Sequence, residues 1–447
     1  MDVKIRDWTF THFWVRPVVK IWFDRYHKSV TYSGEDKVDW QKPIIFAPSH
    51  QSAFTDALCL ILPTRYTNNR FIYPLIRADA FGNSKMVDWV LTSFHMLPVY
   101  RPKDNVDIKK RNDSVFADCY EILSKNRNLL IHPEGNCFAI KKVRRFKKGL
   151  ARIAFGAEEI NNFDLDLSVV PVGINYRKST GARGGIHIRY GSPVSVSDYE
   201  NSYREHEATA ITELTRDLRK RVKEVTVDIQ SEANYELVEN IMQLVKKKNP
   251  AFADCSTYTA NELAFEKEVV GKVENSIQEK PKLLEEVQGI MKSIRSTLNE
   301  YKLSTENSLV EKYSLSRLLM EGAGYIILLP IFLYGWVNNI LPWYVIHKLA
   351  DKIEDEQFIN SARMASGLLV FPLCYLLQTL LFWLISGNGL WALIYVITIP
   401  FAGILSLNLY EKWKEWRQQL QLKLMPNEDK NALFALMNNL FTKLKFK

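Results

Sequence analysis

Cysteine is scarce in this chain, with five among 447 residues. The five are scattered and odd in number, so they indicate neither a disulfide framework nor a metal site. They are Cys59, Cys119, Cys137, Cys255 and Cys374. The sequence also lacks a GxxxxGK[ST] or GxGxxG loop, which disfavours phosphoryl transfer and nicotinamide chemistry.

An uninterrupted apolar core is missing from the N-terminus, so residues 1–38 do not form a secretory signal. Their apolar side chains are set among lysines and arginines, which favours an amphipathic helix lying in a membrane interface. These side chains are Trp8, Phe10, Phe13, Trp14, Val18, Ile21, Trp22 and Phe23. A helix that packs on the protein core is the alternative.

Acidic residues are outnumbered by basic ones, which gives a net charge of +9. Such a balance favours anionic partners, either phosphate groups or an acidic membrane surface. Nucleic acid is the competing anion. The sequence has no Cys/His zinc spacing and no basic helix with base-reading side chains, so we expect no nucleic-acid partner.

Short β-rich runs alternate with helical stretches over residues 43 to 193, which is the pattern of an α/β domain. The predicted strands are PIIFAPS, RFIYPLI, HMLPVY, NLLIHPE, LSVVPVGINY and GIHIRYG. The predicted helices cover 52–62, 105–125 and 147–160. We place the domain at residues 39–200.

Residues 201–319 are richer in lysine and glutamate and predict long polar helices. Within them an apolar stripe recurs at alternating steps of three and four residues, as in a heptad pattern. The stripe consists of Leu284, Val287, Met291, Ile294, Leu298 and Tyr301. It favours an intramolecular helical hairpin over a dimeric coiled coil.

Charge is absent from residues 364 to 410, a run long enough to cross a ~30 Å hydrocarbon layer twice. We predict a transmembrane hairpin of 367–386 and 390–410 that turns at SGNG, within a membrane region of 320–410. Basic flanks, including the 411–447 tail, place both ends of the hairpin in the cytoplasm. The uncharged run 322–346 contains prolines and is either re-entrant, interfacial or a span; the re-entrant form keeps the α/β domain cytoplasmic.

Four stretches then stand in a fixed order: SHQSAFTD (49–56), LPVYRPKD (97–104), HPEGNCF (132–138) and VVPVGIN (169–175), with FKKG at 146–149. Together they resemble the ordered blocks of the glycerolipid acyltransferases, which act on glycerol 3-phosphate and 1-acylglycerol 3-phosphate. The resemblance covers residues 40 to 200 and implies a central mixed sheet flanked by helices. It departs from the family in having five residues, not four, between His50 and Asp56. Asn136 and Cys137 also stand where the family commonly has Thr and Arg.

His50 and Asp56 stand in an otherwise apolar segment. This indicates either that the two side chains satisfy each other's hydrogen bonds or that they are catalytic. Acyl transfer needs a hydroxyl made nucleophilic, and a neutral imidazole steadied by a carboxylate suits that task. The resemblance therefore implies His50 as general base and Asp56 as its orienting carboxylate. The extra residue between them would rotate Asp56 by about 100° on a regular helix, so we expect a non-helical residue near Ala53 to Thr55.

The resemblance also implies that the acceptor phosphate is bound at the second and third blocks. It carries over Arg101, Glu134 and Gly135, and Lys147 of FKKG is a further candidate. A solvated basic loop over KKVRRFKK (141–148) is the alternative for Lys147. The resemblance implies neither metal nor cofactor, with acyl-CoA or acyl carrier protein as co-substrate.

The expected function is transfer of a fatty acyl group from such a thioester to glycerol 3-phosphate or its 1-acyl form. Acylation of another lysolipid is the nearest alternative. A non-catalytic, lipid-binding scaffold on the same fold is the alternative from another class. A transporter is disfavoured because the uncharged spans leave no polar pathway.

Overall fold

The computed structural model describes residues 10–63, 71–82, 84–100, 108–178, 182–253, 257–305 and 309–446. The chain divides into two compact units. The first unit contains Met1–Asp228, Thr257–Leu263 and Asp355–Met364, and the second contains the remainder. Two short pieces from late in the sequence thus belong to the first unit.

A mixed sheet forms the centre of the first unit, with eight strands among the residues that the structure describes. The strands are β1 (Ser29–Ser33), β2 (Ile44–Pro48), β3 (Ile72–Arg77), β4 (Leu97–Val99), β5 (Asn128–Leu130), β6 (Ser168–Tyr176), β7 (Gly185–Tyr190) and β8 (Val194–Ser195). Their order is β1-β7-β6-β2-β5-β3-β4, with β8 beside β6. β7 and β8 run antiparallel to β6, whereas the other pairs are parallel.

The helices that lie wholly within the described part of the first unit are α1 (Phe10–Tyr26), α2 (Ala53–Ile61), α3 (Lys85–Ser93), α4 (Ile108–Ser124), α5 (Gly149–Ile160), α6 (Glu200–Glu205) and α7 (Glu207–Val225). α4, α5 and α7 pack in one apolar cluster with β2, β5 and β6. The strands in this cluster are short runs buried on both faces, as in parallel sheets covered by helices.

The expected fold class is confirmed, because a mixed α/β sheet is followed by a long helical region with three apolar helices. All six predicted strands are present. The sheet also contains two strands that were not predicted, β8 and, inside residues 1–38, β1. Its five residues are only half buried, so SVTYS lacks the apolar signal of the central strands.

One face of α1 carries exposed Phe13, Trp14, Val18 and Ile21, with exposed fractions between 55% and 64%. Phe23 on the same helix is buried, and the Trp22 indole donates to the Met364 carbonyl oxygen within the first unit. The helix therefore combines a core-packing face with an apolar face left open. Trp8 lies outside the described residues.

The second unit is helical. Its helices are α8 (Tyr235–Lys248), α9 (Pro250–Ala253), α10 (Ala260–Glu279), α11 (Pro281–Glu300), α12 (Leu315–Ala350), α13 (Glu356–Ser386), α14 (Gly389–Leu424) and α15 (Asn427–Lys443). α10 and α13 each begin in the first unit and continue into the second. α12, α13 and α14 are long and apolar enough to cross a membrane.

The heptad-like stripe lies on α11, where Val287, Met291, Ile294 and Leu298 are buried. Its partner is α15, which is distant in sequence. Lys443 pairs with Glu286 across this contact at 2.5 Å. The stripe is thus intramolecular, and it pairs with the end of the chain instead of a neighbouring helix.

The uncharged run 322–346 lies in α12, which continues unbroken past Pro330 and Pro342. Prolines are tolerated in apolar helices when a neighbouring helix packs alongside and satisfies the freed backbone groups. α14 packs along α12, and the Asn338 carbonyl, which loses its helical donor at Pro342, accepts from the Gln378 side chain of α13 at 3.0 Å. No irregular loop interrupts the run.

We expect Gly173→Ala, in the VPVG block, to destabilise the first unit. A Cβ atom at Gly173 would lie 2.0 Å from the Val225 carbonyl oxygen, so β6 or the end of α7 would have to move. Overpacking of this kind costs about 1–3 kcal/mol. Thermal unfolding should show a clear drop for this variant. Gly149→Ala is the matched control, since its Cβ would meet nothing within 4 Å, and an equal drop there would contradict the steric explanation.

Candidate active site

Three neighbouring strands deliver their following residues to one edge of the sheet. β2 is parallel to both β5 and β6, so the carboxyl ends of all three meet there. His50 follows β2, Glu134 follows β5, and Tyr176 is the last residue of β6. The carboxyl edge of parallel strands is where α/β proteins place their ligand sites.

His50 and Asp56 form a hydrogen-bonded pair at this edge. The His50 Nδ1 atom lies 2.8 Å from Asp56 Oδ2, and the two side chains are 16% and 0% exposed. A neutral imidazole that donates from Nδ1 to a carboxylate presents Nε2 as its basic nitrogen. The pair thus has the geometry required of a general base and its orienting carboxylate.

Asp56 is held by more than the histidine. Its Oδ2 atom also accepts hydrogen bonds from the backbone amides of Gln51 and Ser52, each at 2.8 Å. Its Oδ1 atom accepts one from the Tyr176 hydroxyl at 2.5 Å. Four donors therefore compensate for the burial of this carboxylate.

The extra residue between His50 and Asp56 is accommodated before α2 becomes regular. Ala53, the first residue of α2, has a φ of +35°, in the left-handed region that is strained for alanine. The chain from His50 to Ser52 can therefore fold around the carboxylate instead of continuing the helix backwards. The Ala53 amide donates to the Cys137 sulfur at 2.9 Å.

The start of α13 fixes this same loop. Ser361 Oγ accepts from the Thr55 amide at 3.1 Å and donates to the Ser52 carbonyl at 3.0 Å. Asn360 donates to Ser52 Oγ at 3.2 Å and accepts from the Tyr26 hydroxyl at 2.8 Å. A helix more than 300 residues later in sequence thus holds the loop that carries the dyad.

Glu134 is engaged by the backbone on both oxygens. One oxygen accepts from the His50 amide and the other from the Arg144 amide, each at 3.1 Å. Burial raises the pKa of Glu134 to about 7, although the same two amides oppose the shift. In this structure Glu134 therefore holds the His50 backbone in place.

Gly135 and Lys147 lie side by side. Gly135 has a φ of +71°, and a Cβ atom there would meet the Lys147 side chain at 3.2 Å. The Lys147 amide donates to the Pro133 carbonyl at 2.7 Å, which fixes FKKG against HPEG. Arg101 lies outside the described residues.

Arg144 is a cation that the sequence did not single out. Its guanidinium carbon lies 3.2 Å from the centre of the Phe138 ring, and the Phe138 amide donates to the His50 carbonyl. Within the described part of the chain, Arg144 Nε is buried without a hydrogen-bond partner and no carboxylate pairs with the guanidinium. A half-buried arginine of this kind is suited to an anionic ligand.

His132 stacks on His50, with ring centres 3.8 Å apart and an angle of 17° between the planes. Burial, and then the neighbouring His50, lower the pKa of His132 well below its usual value. His132 is therefore neutral near pH 7 and presents a flat face that fixes the plane of the His50 ring.

His50, Asp56 and Cys137 are the one group among the described residues whose ligand atoms converge as a metal site requires, within 4.8 Å. A metal would need a thiolate and a free carboxylate oxygen. Burial raises the pKa of the Cys137 thiol, and both Asp56 oxygens already accept hydrogen bonds. These contacts favour a hydrogen-bonded dyad over a metal centre.

Sequence reasoning missed Tyr176, Arg144, His132 and the Asn360–Ser361 pair as parts of this site. Tyr176 and His132 stand in or beside the recognised blocks, so their position was a usable signal. The sequence signal at Arg144 is only that it lies in a basic loop. Nothing in the sequence connects Asn360 and Ser361 with Ser52.

Stability should depend on pH through Glu134. Its pKa is raised from an ordinary 4.5 to about 7, so the folded protein binds this proton more tightly than the unfolded chain. The contribution is complete below about pH 4.5 and is lost as pH rises through about 7, at a cost of roughly 3 kcal/mol. Glu134→Gln should flatten the fall in melting temperature between about pH 5 and 8. Parallel curves for wild type and variant would contradict this account, and Glu205→Gln, an exposed site, is the control.

Comparisons with known proteins relate part of this chain to one family model. Residues 29–175, which include His50, Asp56 and Glu134, match the family model described as Acyltransferase. A search of curated proteins gives no significant match. Among solved structures the chain is similar to PlsC, the 1-acyl-sn-glycerophosphate (LPA) acyltransferase from Thermotoga maritima, with 17% identity and a TM-score of 0.32 over 47% of this chain and 81% of that one. The family match supports acyl transfer as the chemistry of the unit that carries the dyad.

Proposed function

We propose that this protein transfers a fatty acyl group from an acyl thioester to a hydroxyl of glycerol 3-phosphate or 1-acylglycerol 3-phosphate. The donor is acyl-CoA or acyl carrier protein. The observation that carries the proposal is the buried Asp56 carboxylate at 2.8 Å from His50 Nδ1, inside the segment matched as an acyltransferase. Acylation of another lysolipid is the same chemistry with a different acceptor.

The reaction follows from the position of the dyad. His50 Nε2 takes the proton of the acceptor hydroxyl as its oxygen attacks the thioester carbonyl, and Asp56 stabilises the imidazolium that forms. The tetrahedral intermediate then collapses, the carbon–sulfur bond breaks, and the imidazolium returns the proton to the departing thiolate. An ester and a free thiol result. The mechanism uses neither a metal nor another cofactor.

The acceptor phosphate requires cations close to this base. Arg144 supports such a site because its guanidinium is half-buried, unpaired by a carboxylate within the described residues, and linked through Phe138 to the His50 backbone. Lys147 adds charge beside Gly135. We assign Arg101 to the same site from the family resemblance of LPVYRPKD. We assign Glu134 to positioning the backbones of His50 and Arg144. A contact between Glu134 and the acceptor is secondary to this role.

We propose that the protein works at a membrane and that its acylated product enters the surrounding lipid. The three apolar helices support membrane association. The lysines and arginines that flank them favour the cytoplasmic face for the catalytic unit. A non-catalytic scaffold on this fold is the alternative, and the intact His50–Asp56 pair argues against it, since a scaffold has no need of an oriented base.

His50→Ala should lower the rate by about 10²- to 10⁴-fold, because the general base is removed. Asp56→Asn should lower kcat while leaving the acceptor KM unchanged, because it disturbs the tautomer and not binding. Purified enzyme is assayed with both acceptors against both donors, and products are resolved by mass. His206→Ala, at an exposed histidine, is the control. Wild-type turnover in His50→Ala would overturn the assignment of His50 as base, and an absence of acyl transfer in the wild type would favour the scaffold.

Arg144→Ala should raise the acceptor KM by roughly 10- to 100-fold and leave the acyl-donor KM unchanged, because a charge-assisted contact to phosphate is lost. Arg101→Ala should behave alike. Arg145→Ala removes an exposed neighbouring charge and should have little effect. Equal losses for acceptor and donor would remove Arg144 from the phosphate site.

A further inference from the structure

Three helices, α12, α13 and α14, are long and apolar enough to cross a membrane. Much of their apolar surface is exposed, including Ile327 at 76% and Ile385 at 78%. This surface needs hydrocarbon around it. Length alone does not determine how often the chain crosses; the positions of the helix ends do.

α12 and α14 run antiparallel in one constant register. The Trp416 indole donates to the Leu318 carbonyl at 2.8 Å, Ser406 Oγ donates to the Phe332 carbonyl at 3.0 Å, and Asn339 donates to the Ile399 carbonyl at 3.4 Å. This register brings the end of α12 level with the start of α14. Either both helices cross a bilayer or neither does.

The opposite ends of the pair are joined by polar contacts. The Gln419 side chain accepts from the Lys312 amide at 3.0 Å, and Lys423 pairs with Glu311 at 2.5 Å. Charged contacts of this kind belong outside the hydrocarbon. The chain therefore enters α12 and leaves α14 on one side, and the number of crossings between them is even. Three crossings are excluded.

The path of the chain fixes the side on which α12 ends. Five residues after Ala350 the chain joins the first unit, where Asn360 and Ser361 bind the Ser52 loop. Along the described residues from Asp228 to the start of α12, no helix is apolar enough to cross. The chain thus reaches both the start of α12 and residue 355 on the same side.

From this path and register we propose that none of the three helices crosses the membrane. α12 has both ends on one side, α14 follows its partner, and α13 connects two points on that same side. The three helices then lie within a single leaflet as a monotopic anchor, in place of the transmembrane hairpin expected from hydropathy. The partner of this surface is the acyl-chain region of one leaflet. The inference does not depend on the catalytic proposal.

Variants of the full-length protein with one added cysteine test this, each in a Cys255→Ser background because the four described native cysteines are buried. The positions are Lys352, after α12, Asn388, before α14, and Glu428 on α15 as the control. Each is labelled with a membrane-impermeant maleimide in sealed inside-out and right-side-out vesicles. Labelling at Glu428→Cys from the cytoplasmic face alone shows that the vesicles are sealed and oriented.

We expect no labelling of Lys352→Cys or Asn388→Cys in right-side-out vesicles. Labelling of Asn388→Cys alone from that face would show that α13 and α14 cross, and labelling of both would show that α12 and α14 cross. Either result overturns the proposal. The readout needs no catalytic activity, so it stays informative if the assigned reaction fails.

Discussion

The burial of one carboxylate organises the edge of the sheet where β2, β5 and β6 end. Asp56 has no exposed surface, and an uncompensated charge there would cost several kcal/mol. Its four donors come from the chain segment after β2, from His50 itself and from the last residue of β6. Satisfying Asp56 therefore requires the loop, the imidazole and two strands to occupy one arrangement, in which the plane and the tautomer of the His50 ring are set.

Much of the first unit could be predicted because its signals are local. Runs such as SVVPVGINY are apolar, β-branched and bounded by turn residues, so their burial follows from composition. The ordered blocks likewise pointed to His50 and Asp56 before their distance was known. Parallel strands then bring the ends of those blocks to one edge, which the chain order alone implies.

The rest depends on contacts that leave no local pattern. β1 is half buried and lacks an apolar signature, and the stripe on α11 does not encode that its partner is α15. Alanine disfavours a left-handed φ. Ala53 adopts one because the hydrogen bonds that the preceding loop makes to Asp56 require it. In the sequence Arg144 is one more charge in a basic loop. The structure adds that no carboxylate among the described residues pairs with its guanidinium.

α13 begins in the first unit, beside the loop that carries the His50–Asp56 pair. Its first turns carry Asn360 and Ser361, which hold Ser52 and Thr55, and its later turns are apolar and exposed. Because the loop it holds also supplies two of the four Asp56 donors, a shift of α13 would reach the imidazole through that carboxylate. The orientation of the His50 imidazole therefore depends on side chains more than 300 residues later in the sequence.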